Sequence, residues 1–116
     1  MENLNTFDSI IEYLRDLAVK RDVITPDIWM RGAMKLNVLL EAEVEKLIEL
    51  EFTVAHARKK FLDLDNTAVY TKMMIEASPE YREVQLQKAK ISNAQETIKL
   101  AKKYAQLASD QMRSNL

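Results

Sequence analysis

Residues Trp29 to Leu64 read WMRGAMKLNVLLEAEVEKLIELEFTVAHARKKFLDL. Alternating steps of four and three select Trp29, Ala33, Leu36, Leu40, Glu43, Leu47, Leu50, Val54, Ala57, Phe61 and Leu64. Only Glu43 interrupts an apolar stripe that holds for about five heptads, the spacing that keeps one face of an α-helix against a partner helix. At 1.5 Å per residue such a helix is on the order of 50 Å long. Thr25-Pro26-Asp27 stands just before it and reads as a helix start. A Thr side chain suits the cap, Pro the first helical position and Asp the positive end of the helix dipole. A helix over about 26–63 is therefore expected. Gly32 within it either admits another helix closely or loosens the first turns.

Upstream, Phe7, Ile10, Ile11, Leu14, Leu17 and Ala18 form one stripe, with Thr6 placed to cap a short amphipathic helix over about 7–20. Such a helix serves as a packing element or docks into a groove on another protein. Downstream, Asp65-Asn66-Thr67 reads as a turn, followed by a helix over about 68–77 with Tyr70, Met73, Met74 and Ala77 as its expected buried side. Ser78-Pro79-Glu80 repeats the start signal and predicts a break or sharp kink, then a last helix over about 79–112. One face of that helix carries Val84, Gln87, Ile91, Ala94, Ile98, Ala101, Ala105, Ala108 and Met112. Its alanines let a partner helix come close.

The pattern predicts an all-α fold in a single helical domain over 1–116: an extended, coiled-coil-like antiparallel hairpin of two long helices with two shorter helices at or across its ends. Composition agrees. The 116 residues include one Gly, two Pro and no Cys, with 47 % hydrophobic and 30 % charged residues and a formal net charge of −1. Without cysteine there are no disulfides, thiol chemistry or thiolate metal sites. No signal peptide follows Met1 and no apolar run approaches the roughly 20 residues of a membrane span, so a cytoplasmic protein without membrane contact is expected.

The face beside the alanine seam carries Gln85, Lys88, Ser92, Gln95, Lys99, Lys102, Gln106, Ser109 and Arg113. All nine are polar and none is acidic. From Pro79 onward seven basic residues stand against four acids, whereas the rest of the chain has ten against fourteen. A local basic strip on a protein of nearly neutral total charge suits phosphate backbones, which Lys and Arg neutralise and Gln and Ser bond without reading sequence. A solvated face of good helix formers has the same composition. Candidate nucleic-acid-binding residues are Lys88, Lys99, Lys102 and Arg113, the triplet Arg58-Lys59-Lys60, and Tyr81 and Tyr104 as stacking rings. Trp29 occupies a core-type position. Leu36, Leu40, Leu47, Leu50 and Val54, with Ile91, Ala94, Ile98, Ala101 and Ala105, are candidates for an oligomer or partner interface.

Catalytic signals are missing. His56 is the only histidine, and its helical neighbours Phe52, Lys59 and Lys60 neither orient it as a base nor join it on a metal. Carboxylate pairs such as Glu41 with Glu45 and Glu45 with Glu49 lack a Glu-x-x-His partner, and one glycine cannot build a phosphate loop. No enzyme activity, cofactor, metal or small-molecule substrate is expected.

Ala68 to Leu107 reads AVYTKMMIEASPEYREVQLQKAKISNAQETIKLAKKYAQL, preceded by a helix ending in ARKKFLDLD. This layout resembles the small all-helical accessory proteins of tailed phages and, more distantly, their recombination-mediator proteins. The resemblance implies an oligomer that binds single-stranded DNA and helps load a recombinase. Two further readings are open from the residues. One is a protein-interaction module, such as a phage-encoded inhibitor or adaptor of a host or viral protein, docking through the first helix or the Glu41 to Glu51 block. The other is a structural coiled-coil component.

Overall fold

The computed structural model describes residues 6–20 and 26–114. The order is α1 (Phe7–Lys20), α2 (Pro26–Asp63), α3 (Ala68–Glu76) and α4 (Pro79–Ser114), an all-α hairpin with no strand among the described residues. Each start is set by local chemistry. Thr6 Oγ1 accepts from the Ser9 N–H at 3.2 Å to open α1, and Thr67 caps α3 by accepting from the Tyr70 N–H at 3.1 Å. Thr25, expected to cap α2, lies outside the described residues.

At Pro79 the chain breaks rather than kinks. α3 stops at Glu76, one residue before its expected end, and Ala77 closes it with its N–H to Met73 O at 3.2 Å. Ser78 then serves both helices. Its Oγ donates to Ile75 O at 2.6 Å and accepts from the Tyr81 N–H at 3.3 Å. The end of α2 is equally local: Asp65 takes a left-handed φ of 61° and Asn66 Nδ2 donates to Phe61 O at 2.8 Å.

The expected single domain packs as two compact units, one built from the chain up to Glu41 with that from Ser92 onward, the other from Ala42–Ile91. In the first, α1 lies on the antiparallel pair formed by the start of α2 and the end of α4. Phe7, Ile10, Ile11 and Leu14 are buried with Trp29, Ala33, Leu36, Ala94, Ile98, Ala101 and Ala105. Gly32 is what admits α1: a Cβ there would stand 2.6 Å from Leu14 Cδ2. Arg15 donates to the Asn93 side chain from α1 to α4. The apolar face of α1 is therefore a packing surface and is not open for docking elsewhere.

In the second unit α3 packs on the α2–α4 pair through Ile75 and Thr71, with Val54, Ile75 and Val84 as the buried centre. This corrects the expected α3 face, since Tyr70, Met73, Met74 and Ala77 are all exposed. Val69, Tyr70, Met73, Met74 and Ile75 spread apolar side chains over most of α3, so periodicity could not choose its inner side.

Candidate functional site

The ten residues expected to meet another subunit lie in the seam between α2 and α4. Leu36, Val54, Ile91, Ala94, Ile98, Ala101 and Ala105 are buried, and Leu40, Leu47 and Leu50 are half-buried against the same clusters. The seam is thus filled from within the chain, because an antiparallel hairpin supplies its own partner helix. A surface for a second subunit must come from what this packing leaves outside.

Glu43, the break in the α2 stripe, is answered inside the Ala42–Ile91 unit. Gln87 Nε2 donates to Glu43 Oε2 at 2.7 Å and to Glu43 O at 2.8 Å, and Lys90 Nζ approaches Oε1 at 3.2 Å. The Glu43 side chain keeps only 15 % of its exposure. Burial works against its charge, but the Gln87 amide and the Lys90 ammonium outweigh that and hold the carboxyl below its usual 4.5. Two polar residues facing each other across an apolar seam fix the register of α2 on α4 there. The paired breaks at Glu43 and Gln87 were the signal for this contact. It also removes Glu43 from the acidic block considered for docking.

On α4 within the first unit, Ser92, Gln95, Lys99, Lys102, Gln106 and Arg113 are exposed and Ser109 is half-buried. The acids on neighbouring faces reach toward this row: Glu96 pairs with Lys99 at 3.6 Å and Asp110 accepts from the Gln106 amide at 3.1 Å. In the second unit Gln85 and Lys88 are exposed, Lys88 standing 4.0 Å from Glu51 of α2. Arg58, Lys59 and Lys60 are also exposed there.

Neither candidate stacking ring is open on both faces. Tyr104 stacks on Trp29 with centroids 4.9 Å apart and 28° between planes. It closes over the core that Trp29 fills. Tyr81 is half-buried against Val54, Ile75 and Val84. His56 is exposed and stacks on Phe52 at 5.7 Å. Among the described residues no group of three or more His, Cys, Asp or Glu could hold a metal ion, and no helix is long and apolar enough to cross a membrane. No family model, curated protein or solved structure matches the chain.

Proposed function

We propose that the chain is a non-enzymatic, homo-oligomeric accessory protein of phage DNA metabolism that holds single-stranded nucleic acid along α4 without reading its sequence. The observation that carries this reading is the exposed polar row of Gln95, Lys99, Lys102, Gln106 and Arg113 in the first unit. Lysine and arginine along one helix face neutralise phosphates while the amides bond phosphate oxygens. The Lys99–Glu96 pair does not block this. Its side chains are 76 % and 71 % exposed, and such surface pairs contribute little, so a phosphate competes for the ammonium. With Tyr104 committed to Trp29, binding rests on the backbone and not on base stacking.

The test is binding of labelled single-stranded and duplex oligonucleotides at low and moderate salt. Single-strand binding that fades with salt is expected, and Lys99→Glu with Lys102→Glu should weaken it by about tenfold or more at low salt. No binding at low salt, or an unchanged affinity in the double variant, overturns this reading. A protein-interaction module is then favoured by a separate observation, the exposed large apolar side chains on α2, α3 and α4. A single stoichiometric protein partner retained without nucleic acid would mark it.

A further inference from the structure

Within the Ala42–Ile91 unit, α2 turns Leu47, Leu50 and Val54 inward. Val44, Ile48 and Phe52 follow one another at four-residue spacing on a different face, so they form one row along the helix. All three are exposed, Ile48 at 62 % and Phe52 at 69 %. Ala55 continues the row, and the His56 ring lies against Phe52. Because the opposite side of α2 is held by the core, these side chains stand on a rigid support. A row of bulky apolar groups on such a support is a surface that another molecule covers.

The charges beside the row identify that molecule. Glu45 and Glu49 precede Phe52 and Arg58, Lys59 and Lys60 follow it, all exposed. None of these five makes an ion pair among the described residues. The face is acidic on one side of Phe52 and basic on the other, so it is complementary to itself when reversed. A second copy laid antiparallel meets acid with base at both ends, while a parallel copy sets acid on acid and base on base.

We infer that this face of α2 binds a second copy of the chain, with the two-fold axis passing close to Phe52. The contact is isologous. Phe52 meets its counterpart at the centre, Ile48 packs toward His56 of the second copy, and Glu45 lies across from Lys59 of the second copy. The inference rests on the homo-oligomeric reading above and names the surface that reading needs.

The test is the mass of the full chain by light scattering over a range of concentrations, with helicity followed by circular dichroism. The wild type is expected as a dimer. Phe52→Glu should raise the dissociation constant by at least about tenfold with helicity kept, since the side chain is exposed in the subunit. Glu45→Lys and Lys59→Glu should each weaken the dimer, and the two together should restore it. That restoration separates a reversed pairing from a parallel one. Single reversals that both weaken, with no recovery in the pair, overturn the antiparallel arrangement. An unchanged dimer in both Phe52→Glu and the charge variants overturns the surface and leaves the oligomeric reading standing. A monomer at every concentration overturns both, and the row then belongs to a different partner. Oligonucleotide binding is read separately and tests only the α4 proposal.

Discussion

Thr71 carries the clearest cost of any single residue. It is 1 % exposed and its Oγ1 has no hydrogen-bond partner among the described residues. A buried hydroxyl left unpaired costs about 1–3 kcal/mol. Thr71→Val keeps the branched shape and removes the hydroxyl, so it should stabilise the fold by about 1 kcal/mol in urea denaturation. A loss of stability would show that the hydroxyl finds a partner. Gly32 predicts the opposite sign. Alanine there would gain about 1 kcal/mol of helix propensity but force Leu14, itself fully buried, to move, at a cost of about 1–3 kcal/mol. Gly32→Ala should therefore lower the melting temperature, and α1 amides should exchange faster. The sequence left two uses open for this glycine. Only the position of Leu14 decides between them.

Among the elements, α2 and α4 were legible because each keeps a heptad stripe for many turns, and their seams meet as spacing requires. α3 was legible in extent and not in orientation. Its nine residues spread Val69, Tyr70, Met73, Met74 and Ile75 over most of the surface and give no clear periodic preference, and burial fell to Thr71 and to Ile75, which joins Val54 and Val84. The basic row on α4 was legible as a surface, but the stacking of Tyr104 on Trp29 was not, because it needs a contact 75 residues away in sequence. The seam cluster yields its own prediction. Glu43→Leu alone should cost about 1–3 kcal/mol by removing the carboxylate that the Gln87 amide and the Lys90 ammonium face, the amide keeping only its bond to the backbone carbonyl of residue 43, and Glu43→Leu with Gln87→Leu should recover most of it. Chemical denaturation of the two singles and the double measures the coupling. The carboxyl also sets an acid limit. Since its folded pKa lies below the usual 4.5, its contribution is complete above that value and is lost as pH falls through the folded pKa. Glu43→Gln should flatten the acid side of the stability profile in that window.

At the scale of the molecule, the chain holds two apolar clusters, one in each compact unit. Leu36 lies fully buried in one cluster and Ile75 in the other. Truncating either to Ala should cost about 2–5 kcal/mol. The loss should appear first in the amides of the unit concerned, α1 for Leu36 and α3 for Ile75, when followed by native-state hydrogen exchange. Simultaneous acceleration everywhere would mean a single cooperative block. The Glu43, Gln87 and Lys90 contact bears on more than stability. Glu43 and Gln87 answer each other across the seam, so neither can drift by itself without passing through a weakened intermediate. In sequences that share this hairpin, an apolar residue at 43 should arrive together with an apolar residue at 87 and a change at 90. Heredity would then keep a record of which turn of one helix faces which turn of the other.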